Sequence, residues 1–213
     1  MAQETPVHSK LLTAAARSIL RPMGLVQKGR SRTWLDDHQW WLCVVEFQPS
    51  AWSRGSYLNV GCMWLWLVKD YISFDVGYRV ESFVDFRGEE QFEQAASQLA
   101  NCAAQEVTRY RDLFPNIGKV CEYYLGQEVA NGWPCYDAAI ACALANKFDD
   151  SHAFFKRFAE PSDNNAFVAN AQDDSRFLAS LVGTHQFREV IADRVRQTRD
   201  TLKLPAVGRF SFD

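Results

Sequence analysis

The 213-residue chain reads as an α+β protein: an N-terminal helix, an antiparallel β-meander of about four strands covered by helices, and an all-helical C-terminal extension. Three observations predict this. Residues 39 to 67 hold two apolar, β-branched and aromatic runs, QWWLCVVEFQPS and SYLNVGCMWLWL, on either side of a connection bearing Pro, Ser and Gly, the pattern of adjacent antiparallel strands. Residues 73 to 83, SFDVGYRVESF, alternate apolar and polar with period two, which marks a half-buried strand. From Glu89 onward the apolar period lengthens to that of a helix and stays there.

Taken in order, Val7, Leu11, Leu12, Ala15, Ile19 and Leu20 recur at helical spacing and predict a helix over 6–22, with Thr5 as its cap and Pro6 in its first turn. Gly24 then suits the left-handed position that ends a helix. LVQKGRSRTWLDD predicts one strand over 25–37, bulged at Gly29 and ending at an Asp36-Asp37-His38 turn, with Lys28, Arg30 and Arg32 on the same side. In the next strand, Trp40 to Gln48, both alternating sets begin apolar and the even one ends Glu46, Gln48, so one end is covered twice and the other opens toward solvent. The strand after it carries Tyr57, Asn59, Gly61 and Met63 on one side and Leu58, Val60, Cys62 and Trp64 on the other. A register with Glu46 and Gln48 beside Asn59, and Val45 and Phe47 beside Val60 and Cys62, keeps polar with polar; a slip of one residue destroys it.

The fourth strand turns Phe74, Val76, Tyr78 and Val80 one way and Asp75, Gly77, Arg79 and Glu81 the other. A long helix follows, with Phe92, Ala95, Ala96, Leu99, Ala103, Val107 and Tyr110 on one stripe, acids in its first turn and Arg109 and Arg111 near its end, as the helix dipole favours. It should cover a sheet face. Beyond Phe114 all is helical, divided by Pro115, Gly126, Gly132 with Pro134, the Asp149-Asp150-Ser151 cap and Pro161. Residues 135 to 160 fit a helical hairpin, PSDNNAFVANAQDD (161–174) reads as a mobile polar loop, and a final helix over 174–202 is interrupted at Gly183-Thr184. The expected division is a sheet domain over 1–114 and a helical extension over 115–213 packed on the same body.

Composition narrows the function classes. Hydrophobic content of 47% with 23% charged residues is that of a globular protein and excludes disordered and fibrous classes. TAAARSILRPMG is too short and too charged for a signal core, and Lys69 and Asp70 close the apolar run before them, so no membrane is expected and the cytoplasm is the predicted location. The six cysteines contain no C-x-x-C pair and read as reduced, mostly buried thiols. Residues 1 to 35 hold six Lys or Arg against Glu4, a local +5 in a chain of net charge −3, so an anionic partner would meet a patch and not the whole surface.

The order helix, LRPMGLVQKGRSRTW, acidic turn, VVEFQPS, SYLNVGCMW resembles the bacterial family catalogued as domain of unknown function 4304, over roughly residues 7 to 120. Lys28-Gly29-Arg30, Phe47-Gln48 and Asn59-Val60-Gly61 match its motifs, while Leu25 stands where that family has an aromatic residue. The resemblance implies the fold of the N-terminal half and brings no established activity.

No catalytic or metal-binding set emerges. Gly24 to Ser31 is one substitution from a phosphate-binding loop, with Arg30 at the lysine position, but here a helix precedes and a strand follows, the reverse of the order such a loop needs. The four histidines, at 8, 38, 152 and 185, lie far apart with no i, i+4 pair, and neither a metal nor another cofactor is predicted. Lys28, Arg30 and Arg32, with Trp52 and Arg54 in the loop, have the makings of a phosphate-tracking, base-stacking surface, although a solvated strand face is the better explanation of the charges in an acidic chain. Glu46, Gln48 and Asn59 are either a hydrogen-bond network tying the loop or the floor of a binding cleft; Gln and Asn orient ligands and cannot transfer protons. Most of the seven tryptophans read as core, with Trp52 the exposed one.

The reading that follows is a non-enzymatic binding or protein-interaction module, with Arg30, Arg32, Glu46, Gln48, Trp52, Arg54 and Asn59 as candidate contacts for a protein or a small anionic ligand. Two rivals stand beside it: an enzyme using Glu46, Arg30 and Arg32 on a phosphorylated or anionic small molecule, and nucleic-acid binding through the basic N-terminal third. The amphipathic final helix offers a possible homodimer seam.

Overall fold

A computed structural model of the protein describes residues 6–129, 132–160, 166–208 and 210–212. The fold is α+β, with five strands and seven helices among these residues. By its internal contacts the chain divides into two units: residues 1–64 with 71–112, and residues 65–70 with 113–213.

In the first unit, α1 (Val7–Leu20) buries Leu12, Ala16 and Leu20 along one stripe and gives way to Gly24 at φ +96°. The Thr5 cap lies outside the described residues. The strand expected over 25–37 is instead a hairpin of β1 (Val26–Gln27) and β2 (Thr33–Asp37). Gly29 sits in the turn at φ +58°, the Lys28 amide donates to the Thr33 carbonyl at 2.9 Å, and the Ser31 hydroxyl donates to the Lys28 carbonyl at 2.7 Å. The chain therefore reverses at the basic triplet, and Lys28, Arg30 and Arg32 do not share a strand face. β3 (Trp41–Gln48), β4 (Gly55–Trp64) and β5 (Val76–Asp85) complete an antiparallel meander in sequence order. The β3–β4 register pairs Glu46 with Asn59, Val45 with Val60 and Cys43 with Cys62, so polar meets polar as the alternation requires.

One face of this sheet, carrying Trp34, Asp36, Cys43, Val45, Phe47, Leu58, Val60 and Cys62, is buried. α2 (Glu89–Leu113) lies over it: Arg111 forms a two-pronged pair with Asp36 at 2.8 and 2.9 Å, and Arg109 stacks over Tyr78 at 5.6 Å. Two register shifts near Leu58 put Glu81 on this side too, with the Cys102 thiol 3.9 Å from its carboxylate, so the simple alternation predicted for β5 fails beyond Arg79. Gly61 and Gly77 face each other across β4 and β5 so closely that a Cβ on Gly61 would lie 2.4 Å from the Val76 carbonyl oxygen.

In the second unit, α3 (Ile117–Leu125), α4 (Trp133–Leu144), α5 (Phe148–Ala159), α6 (Ala166–Leu181) and α7 (His185–Leu202) pack each against the next in the chain, with the α4–α5 hairpin as predicted. α4 is buried from Cys135 to Leu144, and a helix apolar all round belongs at the centre of its unit. Trp66 donates to its buried Asp137 at 2.8 Å. α6 begins well inside the stretch expected to be a loop; its residues 161–165 lie outside the described ones, and 166–174 are helical. Asp174 there is gripped by Arg194 and by the Tyr136 hydroxyl. The final helix is indeed broken, with Gly183 at φ +82° and the Thr184 side chain capping α7, whose stripe of Phe187, Ile191, Val195 and Leu202 is buried within the chain. All six cysteines are free thiols and five are buried.

Candidate functional site

The open face of the sheet has two zones. Toward one end Leu42, Val44 and Met63 are buried; toward the β3–β4 connection the same face carries half-buried Glu46, Gln48, Tyr57 and Asn59, with exposed Arg79 beside them. The register forces these polar groups together, and they satisfy one another. The Asn59 amide donates to Glu46 Oε2 and to Gln48 Oε1, both at 3.0 Å. Arg79 donates to Gln48 Oε1 at 2.9 Å and to Asn59 Oδ1 at 3.3 Å, and its guanidinium lies 4.0 Å from the Tyr57 ring centroid. The Glu46 and Arg79 charges offset each other in one network, which fixes the side chains in place. The alternation groups Arg79 with the polar side of its own strand and misses it as the cation that closes the network, because the register that sets it across from Asn59 is seen only in the structure.

Above this network the loop over 49–54 is shaped by Ser50, whose hydroxyl accepts from the Trp52 amide at 3.1 Å and the Ser53 amide at 3.3 Å. Trp52 is 95% exposed, while the other tryptophans of the strands, Trp34, Trp40, Trp41 and Trp64, are buried.

The remaining candidate residues lie elsewhere. Arg30 is exposed in the β1–β2 turn. Arg32 turns to the helix-covered side of the sheet, donating to Ser9 Oγ at 2.5 Å and to the Gly55 carbonyl at 3.2 Å. The sheet thus separates Arg32 from Glu46, Gln48 and Asn59, because Arg32 and Thr33 are neighbours with opposite side-chain directions and Thr33 pairs with Glu46. Arg54 is exposed and its carbonyl accepts from the Phe86 amide at 2.8 Å. Together with Arg32 it acts on His8, a residue that sequence reasoning dismissed as isolated. Burial, and then the charges of Arg32 and Arg54, push the His8 imidazole below its ordinary value. Burial also lowers Arg32 itself.

Among the described residues no group of three or more His, Cys, Asp or Glu is arranged to hold a metal ion, and no helix is long and apolar enough to cross a membrane. No family model, curated protein or solved structure matches the chain.

Proposed function

We propose that the chain is a non-enzymatic binding module of the cytoplasm, which presents the β3–β4 end of its sheet to a protein partner. The observation that carries this reading is Trp52. A large aromatic ring held almost wholly in water, on a loop whose backbone is fixed by Ser50, serves no purpose in the core and is the residue type that anchors interfaces. Beside it the Tyr57–Arg79 stack offers a second aromatic surface with a cation attached. The network of Glu46, Gln48 and Asn59 supports the reading as a rigid floor: a patch that keeps its side chains in place loses little freedom on binding. Six free thiols suit a reducing compartment.

The test is a photo-crosslinking residue placed at position 52, with a control at exposed Phe177. In cells that express the chain, position 52 should yield a discrete adduct that excess unlabelled protein removes and that excess Trp52→Ser protein does not. Equal adducts at both positions, or equal competition by the Trp52→Ser chain, would remove Trp52 as an anchor. Titration with single- and double-stranded oligonucleotides at low salt addresses the nucleic-acid rival, and saturable binding there would displace the protein-partner reading.

A further inference from the structure

We propose that Cys121 and Cys142 form a redox-active dithiol, which a hydroperoxide closes into a disulfide that clasps α3 to α4. This goes beyond the Trp52 reading and does not depend on it. The two sulfurs lie 3.0 Å apart although the residues are 21 positions apart in the chain, and both belong to the second unit. A disulfide holds its sulfurs at about 2.05 Å, so closure asks for a movement of only about 1 Å. Packing keeps the pair at this distance: α3 buries Ile117, Val120 and Tyr124 along with Cys121, and α4 is buried on every side around Cys142.

The other thiols are placed differently. Cys43 faces Cys62 across β3 and β4, but both are wholly buried within the sheet. Cys102 has the Glu81 carboxylate 3.9 Å away, and burial together with that charge pushes its thiol up. Cys121 lies next to exposed Glu122, on a nine-residue helix that ends at exposed Leu125 and Gly126, and the Cys142 carbonyl accepts from the amide of exposed Lys147 at 2.8 Å. The pair therefore sits just beneath the surface. A helix this short opens locally more readily than a central strand, and hydrogen peroxide is little larger than water.

The pair also has a direction. The hydrogen bond from Cys142 holds the Cys121 thiol below its ordinary value against the effect of burial, and the same bond, with burial, holds Cys142 above. Cys121 is therefore the attacking sulfur. Its thiolate takes one oxygen of the hydroperoxide as the O–O bond breaks, forming a sulfenic acid; the other oxygen leaves as an alcohol, or as water, with the proton that Cys121 released. The Cys142 thiol then attacks the sulfenic sulfur, the S–O bond breaks, and the hydroxyl leaves as water with the Cys142 proton. Two thiols are oxidised and one hydroperoxide is reduced.

The experiment exposes the full, folded and reduced chain to hydrogen peroxide, then unfolds it in iodoacetamide to block the remaining thiols. Digestion with chymotrypsin, which cuts after Tyr124 and Tyr136, separates Cys121, Cys135 and Cys142 for mass spectrometry. A linked Cys121–Cys142 peptide pair should form at least about tenfold faster than the Cys43, Cys62 or Cys135 thiols are lost, and dithiothreitol should reverse it. The oxidised chain should unfold at a higher denaturant concentration than the reduced one. Cys142→Ser should leave Cys121 as a sulfenic acid that dimedone labels, and Cys121→Ser should leave Cys142 unlabelled. A first linkage between Cys43 and Cys62 or between two chains, loss of all thiols at one rate, or oxidation only on unfolding would each overturn the assignment, and all are read on the unsubstituted chain.

Discussion

The two faces of the sheet near the β3–β4 connection use similar residues to opposite ends. On the open face, Arg79 meets Gln48 and Asn59, and Glu46 supplies the offsetting charge through Asn59. On the covered face, Arg32 meets only a serine hydroxyl and a backbone carbonyl, with Arg54 adding a second positive charge and His8 a buried ring. A closed network with balanced charge has nothing left to give a ligand except its shape. The comparison teaches that strand register can bring a cation its counter-charge, as it does for Arg79, while a neighbouring arginine on the other face is satisfied by neutral oxygens alone.

Substitutions can break or sharpen that contrast. The largest effect should come from Gly61→Ala, whose added carbon would lie 2.4 Å from the Val76 oxygen and 2.8 Å from Gly77 Cα; we expect a loss of about 3 kcal/mol in chemical denaturation, from forcing β5 away from β4. Asp36→Asn should follow at about 2 kcal/mol, because it removes the charge that Arg111 and His38 both hold. Burial alone would raise the Asp36 carboxyl, but hydrogen bonds from His38 and Arg111 overcome this and hold it at about 2. The folded carboxyl titrates below its unfolded value, so its stabilisation is complete above about pH 4 and disappears as pH falls through about 2, an acid sensitivity that Asp36→Asn should lack. Next, Asn59→Ala should lose about 1–2 kcal/mol by stranding Glu46 and Gln48, whereas Arg32→Gln should stay within about 1 kcal/mol of the parent. If Arg32→Gln proves the more damaging of the two, the contrast collapses. Trp52→Ser should be smallest, within about 0.5 kcal/mol by thermal unfolding.

The legible parts of the fold were those governed by a single strong period. β3 and β4 could be paired in register from their side chains alone because a one-residue slip would have put Glu46 and Asn59 against apolar neighbours. α2 could be placed because its stripe is continuous over 25 residues. The β1–β2 hairpin was hidden because β1 is two residues long and its turn is set by the conformation of one glycine, Gly29, which also fits a bulge. β5 misled because its register shifts depend on the partner strand and leave no mark on its own alternation. Of the candidate site, Glu46, Gln48, Asn59 and Trp52 were readable from strand parity and loop position. The surroundings of His8 were not, since they come from Arg32 and Arg54, more than twenty positions away, and from aromatic rings contributed by Phe86 and Phe92.

The contrast between Trp52 and the buried indoles equips the molecule with its own optical reporters. Trp40, Trp41 and Trp64 lie with ring centroids 6.0 to 6.2 Å apart inside the sheet unit, close enough to couple their excited states, and Trp52 stands alone in water. A collisional quencher such as iodide will reach Trp52 readily and the clustered rings hardly at all, and the near-ultraviolet dichroism of the cluster will vanish only when the sheet opens. Occupancy of the loop and integrity of the core can thus be followed in one unlabelled sample as separate signals.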